Sequence, residues 1–315
     1  MATSLNNIDR VLDVALEGLE KSLPGLQRAV LEQLLQELRG LDLTAQGVIK
    51  PTATNLRKVM QLSRTLDKFL TSDKFIERLR GLPEAIDKIT TAQDRFYKQF
   101  FKEGRPPAIA REIRAASRNQ IVNDMTVGLS GEVFNSVKDT INAGIVSGQT
   151  YDELTNSLRN TIYTNTADGG LVEKYARQIA TDSLNGYTRN YGIAVTQGLD
   201  FQWYRYTGTN IKTTRDFCRA CKIKEYIHVS EFPKVIKGDF PEFKAVNGKI
   251  YEPYGLPQGM RKETTPETFR NFAGGYNCRH QLRPVYERMV PKSIRDLVYN
   301  TDAYKTWQKD HKKAL

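Results

Sequence analysis

The sequence predicts a protein that is mainly α-helical in its first two thirds and ends in a small α+β domain stapled by a Cys/His cluster. Apolar residues recur at three- and four-residue steps through most of the first two hundred positions, which is the period of an amphipathic helix. Residues 199–207 alternate aromatic with polar side chains, as a half-buried strand does. All three cysteines lie between positions 218 and 278. The end of the chain is therefore predicted to differ in both fold and chemistry from its beginning.

The first helices are predicted from their apolar faces. One face runs from Ile8 to Leu19, and a second runs from Leu26 to Leu38. Between them the run Ser22-Leu-Pro24-Gly25 predicts a break, because proline disrupts a helix interior. A third helix is predicted near residues 52–71. Three further helices are predicted over 73–80, 83–103 and 106–147, with Gly104-Arg-Pro106-Pro107 as the clearest boundary.

The next elements are predicted from capping and turn chemistry. Thr150-Tyr-Asp-Glu153 has the capping-box pattern and opens a helix that runs to about Tyr163. Asp168-Gly169-Gly170 ends that segment, and a helix over 171–198 follows. After the 199–207 strand, residues 244–251 read as a hairpin around Asn247-Gly248, a dipeptide typical of two-residue hairpin turns.

Length and composition restrict the class of protein. The chain has 315 residues, enough for two or three domains, with 39% hydrophobic residues and a mean hydropathy of −0.52. No apolar run approaches the roughly eighteen residues of a membrane span, and the first residues lack a secretory signal pattern. An odd number of cysteines argues against a secreted disulfide framework. We therefore expect no membrane contact and synthesis in a reducing cytosol.

Charge is distributed unevenly along the chain. Residues 1–200 carry 25 Lys and Arg against 24 Asp and Glu, whereas residues 201–315 carry 22 against 12. Nearly all of the net charge of +11 therefore lies in the last third, with the cysteines. A basic region of this kind is either an ordinary solvated surface or a surface that attracts polyanions through a salt-sensitive term.

The cysteines form two short motifs, Cys218-Arg-Ala-Cys221 and Cys278-Arg-His280. Three thiolates and one imidazole form a recognised four-coordinate zinc set, so one structural Zn²⁺ is predicted on these four residues. His228 is an alternative fourth ligand. Two alternatives to zinc would also stabilise a small domain. One is a disulfide between Cys278 and one of the first two cysteines, and the other is packing of the thiols as small hydrophobic side chains. No cofactor other than the metal is expected.

These motifs occur in an order that resembles a known family. Thr213-Thr-Arg215-Asp216-Phe-Cys218-Arg-Ala-Cys221 is followed, after an insert, by Gly274-Gly-Tyr-Asn-Cys278-Arg-His280-Gln-Leu-Arg-Pro284-Val285. This order is similar to the C-terminal domain of phage head morphogenesis proteins, the Mu F-like minor capsid proteins of tailed phages. The Thr150 capping box, the helix at Ala176 and Gly198 before the strand fit the same order. The resemblance covers roughly residues 145–290, and it closes on Cys-Arg-His where many members have Cys-Arg-Cys.

The resemblance implies four segments. Residues 1–105 would be a variable helical region, 106–198 a helical domain leading into the family region, 199–290 the Mu F-like α+β domain and 291–315 a basic tail.

The resemblance also implies a non-enzymatic role. Such a protein would be a minor head component that acts in prohead morphogenesis near the portal. It would be assembled in the host cytoplasm and carried in the virion, in the capsid interior or close to the portal. The expected partners are the portal protein, the major capsid protein or both. A basic C-terminal domain would suit contact with packaged double-stranded DNA without sequence preference.

Two rival functions share the same residues. A treble-clef metal-dependent nuclease would use Asn277 and His280 beside the second ligand pair, but it needs a free histidine as general base, and only His228 could serve if His280 binds zinc. A zinc-stapled nucleic-acid-binding regulator would need base-reading side chains on a short helix, and the sequence places no such helix. The chain shows no Ser-His-Asp order, P-loop or dinucleotide motif. We therefore predict no catalytic residues.

Overall fold

The computed structural model of the chain describes residues 2–98, 108–164, 170–196 and 199–311. Four predicted features lie wholly or partly outside the described residues. They are the boundary at Gly104–Pro107, the turn at 168–169, Gly198 and the end of the basic tail at 312–315.

The prediction that the first two thirds are mainly helical is confirmed, and their described residues form seven α-helices. Their bounds are α1 Ala2–Leu38, α2 Ala53–Leu70, α3 Asp73–Arg78, α4 Gly81–Tyr97, α5 Ala108–Val146, α6 Tyr151–Thr164 and α7 Leu171–Val195. Each overlaps a predicted helix, because the three- and four-residue apolar period is a local property of the sequence.

The predicted break near Pro24 is wrong, because α1 continues through it with Pro24 inside the helix. Proline in a helix interior costs about 3 kcal/mol relative to alanine. The apolar face is uninterrupted at this point, since Leu19, Leu23 and Leu26 are all buried. Burying each of these side chains contributes about 1.5–3 kcal/mol, which offsets the cost of the proline.

Side-chain hydrogen bonds cap the N-termini of α2 and α6, and the sequence predicted the cap of α6. Thr52 precedes α2, and its side-chain oxygen accepts a hydrogen bond from the backbone N–H of Asn55 at 3.2 Å. At α6 the predicted capping box is confirmed. The backbone N–H of Thr150 donates to Glu153 Oε2 at 2.8 Å, and the Glu153 N–H donates to Thr150 Oγ1 at 3.3 Å. These pairs satisfy donors that a helix start leaves unpaired.

The chain forms two compact units, each made of separated segments. One contains Leu12–Asp87 and Ala115–Ser183, and it is helical. The other contains Met1–Val11, Lys88–Arg114 and Leu184–Leu315. The division into four consecutive segments that the resemblance implied stays a prediction.

The second unit contains a three-stranded antiparallel sheet with the order β2-β1-β5. Strand β1 spans Trp203–Thr207, β2 spans Tyr226–His228 and β5 spans Gln281–Val285. On one side Trp203 pairs with His228, and on the other Thr207 pairs with Gln281. The central strand therefore joins two segments that lie more than fifty residues apart in the sequence.

The hairpin predicted around Asn247-Gly248 is wrong. Asn247 has a φ of 53°, and Gly248 donates its N–H to the carbonyl of Phe243 at 3.1 Å, so the dipeptide ends helix α10, Pro241–Ala245. The short hairpin that does form pairs β3, Ile250–Tyr251, with β4, Leu256–Pro257. Phe243 is buried, and its place in the core selects the helical conformation before the turn.

Short helices complete the second unit. They are α8 Asp216–Lys224, α9 Phe232–Val235, α11 Phe269–Phe272, α12 Lys292–Tyr299 and α13 Asp302–His311. Two apolar clusters lie among them. The larger includes Phe217, Phe269 and all three cysteines, and the smaller forms around Trp203 and Val298.

A buried ion pair fixes the start of α1 within the second unit. Arg283 on β5 is fully buried, and its guanidinium donates to Asp9 Oδ1 at 2.7 Å and to Thr207 Oγ1 at 3.0 Å. A pair of this kind is costly to break, because removing one partner leaves the other charge buried without compensation. Across the described residues no helix is both long and apolar enough to cross a membrane.

Candidate metal centre

Helix α8 carries the first cysteine motif. Cys218 and Cys221 are three residues apart, so they lie on the same face of the helix, and that face is buried. The motif lies within a helix that begins at Asp216.

The second motif lies in the turn that leads into β5. Cys278 and His280 precede the strand directly, and both are buried. The turn is compact, because Asn277 and Gly275 have φ values of 52° and 90°. A Cβ at Gly274 would lie 2.3 Å from the sulfur of Cys218 and 2.8 Å from the sulfur of Cys278, so only glycine fits beside the sulfurs.

Three of the predicted ligands meet at one point. The ligand atoms of Cys218, Cys278 and His280 all lie within 4.8 Å of one another. The two sulfurs are 3.7 Å apart, and the sulfur of Cys278 is 3.9 Å from Nδ1 of His280. Two thiolates around one tetrahedral ion, each about 2.3 Å from it, are separated by roughly 3.7 Å. The buried group therefore could hold a metal ion.

The surrounding groups orient these ligands as a metal site requires. The Nε2 of His280 lies 3.2 Å from Oδ1 of Asn210, so the tautomer protonated at Nε2 would donate to Asn210 and present the Nδ1 lone pair to an ion. The N–H groups of Gly274 and His280 donate to the sulfur of Cys278 at 3.3 and 3.4 Å. Hydrogen bonds of this kind favour the thiolate form of a cysteine.

Tyr206 closes the site from the central strand. Its hydroxyl lies 3.4 Å from the sulfur of Cys218 and 3.9 Å from that of Cys278, and its ring stacks on His280 with centroids 5.4 Å apart. Tyr206 pairs with Leu282 across the sheet, which brings its side chain diagonally over His280. Burial, and then the nearby thiols, raise the pKa of Tyr206 well above its usual value, so its hydroxyl stays protonated.

The pKa values of the two neighbouring sulfurs are shifted in opposite directions. Burial opposes ionisation of Cys278, but hydrogen bonds with Cys218 and His280 and the positive charge of Arg189 outweigh it, and the pKa of Cys278 falls well below its usual value. The hydrogen bond to Cys278, followed by burial, raises the pKa of Cys218. The pair thus favours one thiolate beside one thiol.

Arg189 on α7 anchors the turn that carries Cys278. Its guanidinium donates to the backbone carbonyls of Cys278, of His280 at 2.8 Å and of Asn271 at 3.3 Å. Arg189 is 8% exposed, so these are buried charge-assisted hydrogen bonds. Sequence reasoning missed Arg189 and Asn210, since neither belongs to a motif, and it singled out Tyr206 only as part of the predicted 199–207 strand. The Gly274-Gly275 pair was visible within the second cysteine motif.

The remaining two predicted ligands lie outside the group of three. Cys221 is fully buried in the same apolar cluster, where burial raises the pKa of its thiol, and its place as a fourth ligand stays a prediction. All three cysteines are free thiols. His228 lies elsewhere, because its ring packs with the smaller cluster around Trp203.

His228 has a structural role at the end of β2. Its Nδ1 accepts a hydrogen bond from the backbone N–H of Ser230 at 3.1 Å, and its own N–H donates to Glu231 Oε2 at 3.0 Å. The ring is fully buried between Trp203 and Trp307, with centroids 5.0 and 4.9 Å away. Among the described residues its Nε2 has no hydrogen-bond partner. The environment therefore favours a neutral imidazole.

We expect the stability of the protein to fall in mild acid because of His228. Burial lowers the pKa of His228 to about 4, with Glu287 opposing and His311 reinforcing the change. In the unfolded chain His228 takes up a proton near pH 6.5, whereas in the folded chain it stays neutral down to about pH 4. Stability is therefore complete above pH 6.5 and is lost as the pH falls towards 4, by about 3 kcal/mol.

Urea unfolding at pH 7, 6, 5 and 4 measures this effect. Trp203 and Trp307 are the only tryptophans of the chain and both contact His228, so their fluorescence reports the relevant region. His228→Gln should flatten the pH dependence, and the exposed His311→Gln should keep most of it. Equal pH dependence in the wild type and His228→Gln would show that another group is responsible.

No protein family, curated protein or solved structure matches this chain.

Proposed function

We propose that this chain is a virion structural protein, a minor head protein that acts in phage prohead morphogenesis near the portal, with its C-terminal domain stapled by one structural Zn²⁺. The observation that carries the proposal is the convergence of Cys218, Cys278 and His280. These are residues of the two motifs on which the resemblance to Mu F-like minor capsid proteins depends, and they are brought together across sixty residues of sequence.

The burial of the centre supports a structural role for it. Cys218, Cys278 and His280 are each 3% exposed or less, so substrate has no direct access to the ligands. Structural zinc sites have a full protein ligand set, whereas catalytic sites keep one position open to water. Cys218, Cys278 and His280 would hold the ion, and Cys221 on the same helix face is the predicted fourth ligand.

The same observations count against the nuclease alternative. A general base must reach substrate and change its protonation state near neutral pH. His280 is engaged by Asn210 and the sulfurs, and His228 is fully buried with its pKa lowered to about 4 by burial. Neither histidine meets that requirement.

The positive charge of the last third supports contact with DNA. Many cations of the last third are exposed, including Lys212, Arg219, Lys249 and Lys262. We expect the full chain to bind double-stranded DNA of unrelated sequences with similar affinity. The affinity should fall steeply between 50 and 200 mM salt, because binding releases counterions from the phosphates.

Fluorescence anisotropy with labelled duplexes of different sequence measures both properties. A poly-glutamate competitor should displace the DNA if the chain binds polyanions in general. It should not displace the DNA if binding is base-specific. Salt-insensitive binding, sequence-selective binding or an absence of binding would each remove non-specific DNA contact from the proposal.

Gene order and purified phage particles test the head-assembly role. Genes for the large terminase subunit and the portal protein should lie immediately upstream, and mass spectrometry of purified proheads or virions should detect the chain. Disrupting its gene should reduce the yield of DNA-filled heads. Its absence from purified particles would contradict the proposal.

A further inference from the structure

A large groove in the second compact unit is not used by the metal centre. It has a volume of about 1350 Å³, and it lies between the end of α7, the start of β1, α9 and one face of α13. Pockets for small molecules usually have 300–1,000 Å³, so this groove has room for more than a small ligand. An α-helix 10–12 Å across with a rise of 1.5 Å occupies on the order of 120–170 Å³ per residue, so the groove could take on the order of ten residues.

One wall of the groove is a face of α13, whose Trp307 also contacts His228. The α13 residues that line it recur at helical spacing, Asp302–Thr306–Asp310 and Ala303–Trp307. Within this helix no side chain is fully buried, although Trp307 is half-buried. A segment bound in the groove would bury the apolar part of this face, including Trp307. Tryptophan side chains often contribute much of the binding energy at protein interfaces.

The floor of the groove is apolar. Phe201, Tyr204 and Phe232 line it, together with Pro233 and Ile193. Tyr204 and Phe232 are held rigidly, because their rings contact each other with centroids 5.7 Å apart. A preformed floor of aromatic and proline side chains suits apolar anchors of a peptide, since little ordering is needed on binding.

The charge around the groove is opposite to that of the region in which it lies. Residues 201–315 carry only 12 acidic side chains against 22 basic ones, yet Glu267, Asp302 and Asp310 all line the groove, and Asp200 joins them. Among the described residues none of these four exposed carboxylates has an ion-pair partner. Two cations also line the groove, Lys234 and Arg270, so the four carboxylates leave it with a net negative charge. A polyanion is repelled here, and a cation is attracted.

We propose that this groove is the docking site for a short, lysine- or arginine-rich amphipathic segment of a partner protein. Apolar side chains of the segment rest on the aromatic floor and against Trp307, and its cations pair with the four carboxylates. The complementarity of charge selects this occupant over nucleic acid. The inference depends on the groove alone and not on the virion role proposed above.

The test uses the full chain and two synthetic 14-residue helical peptides. Both have leucine at positions i, i+3, i+4 and i+7, and the other positions are lysine in one and glutamate in the other. Isothermal titration calorimetry and tryptophan fluorescence should show binding of the lysine peptide and its weakening by salt. The glutamate peptide should not enter the groove, so any binding of it to the basic surfaces elsewhere should leave the tryptophan fluorescence unchanged.

Charge-matched variants locate the site. Asp200→Lys with Asp310→Lys removes two groove carboxylates, whereas Glu252→Lys with Asp296→Lys makes the same change in net charge at exposed positions outside the groove. The groove pair should weaken binding of the lysine peptide on the order of tenfold and the control pair less than twofold. Circular dichroism confirms that each variant is folded.

Three results would overturn the inference. They are an absence of binding by the wild type, an equal change in tryptophan fluorescence with the two peptides, and equal weakening of lysine-peptide binding by the groove and control pairs.

Discussion

Replacing Cys278 with alanine should abolish metal binding and loosen the C-terminal domain. Elemental analysis of the wild type should find about one equivalent of zinc per chain, and Cys278→Ala should retain none. The sulfur of Cys278 lies 3.7 Å from that of Cys218 and 3.9 Å from Nδ1 of His280, so it is the member of the group that contacts both others. Structural zinc contributes on the order of 10 kcal/mol to folding, so its loss should be severe.

Hydrogen exchange shows where the damage falls. In Cys278→Ala, residues 210–285 should exchange faster, while the helical unit of Leu12–Asp87 and Ala115–Ser183 should stay protected. Uniform loss of protection would contradict a separately stapled domain. A wild type without bound metal would end the metal hypothesis and leave buried thiol packing.

Cys221→Ala tests the predicted fourth ligand, because it removes a second buried thiol from the helix that carries Cys218. Since the sulfur of Cys221 lies outside the group of three, this variant should keep its metal, bound more weakly than in the wild type. Complete loss of metal in Cys221→Ala would establish it as the fourth ligand, as the CxxC spacing predicted.

Arg189→Met should be the second most damaging change. It removes the donor from the buried hydrogen bonds of the Cys278 and His280 carbonyls and from the partly buried carbonyl of Asn271. Each unsatisfied buried acceptor costs about 1–3 kcal/mol, so we expect a loss of about 3–5 kcal/mol in the free energy of unfolding. Arg189→Lys should recover less than half, because an ammonium cannot reproduce the planar fork of a guanidinium.

Two measurements separate this positioning role from general destabilisation. Urea unfolding gives the loss of stability, and competition with a chromophoric chelator gives the rate of metal release, which should rise in Arg189→Met. Arg219→Met on α8 is the control, since Arg219 is exposed and forms only a surface ion pair with Asp216 at 3.7 Å. Unchanged metal release in Arg189→Met would show that Arg189 supports the fold and not the site.

The sequence predicted most of the elements, because most depend on neighbours a few residues away. The Thr150 capping box and the strand at β1 are predictions of this kind, and both are confirmed, although β1 is buried on both faces and not on one. The same reasoning failed at Pro24 and at Asn247-Gly248. In the first case the packing of Leu23 and Leu26 outweighs the local cost of proline, and in the second the burial of Phe243 makes the dipeptide a helix end.

For the candidate site, the sequence alone determined the chemistry that is available: three thiols and an imidazole in two short motifs, in a strongly basic last third. Tertiary structure alone decided which of them meet. The pairing of Thr207 with Gln281 brings the turn of Cys278 and His280 beside β1, and the pairing of Trp203 with His228 carries that histidine into another core. The spacing of ligands within a motif is set by local backbone geometry. Which distant segments come into contact depends on strand register and packing, and neither follows from one short stretch of sequence.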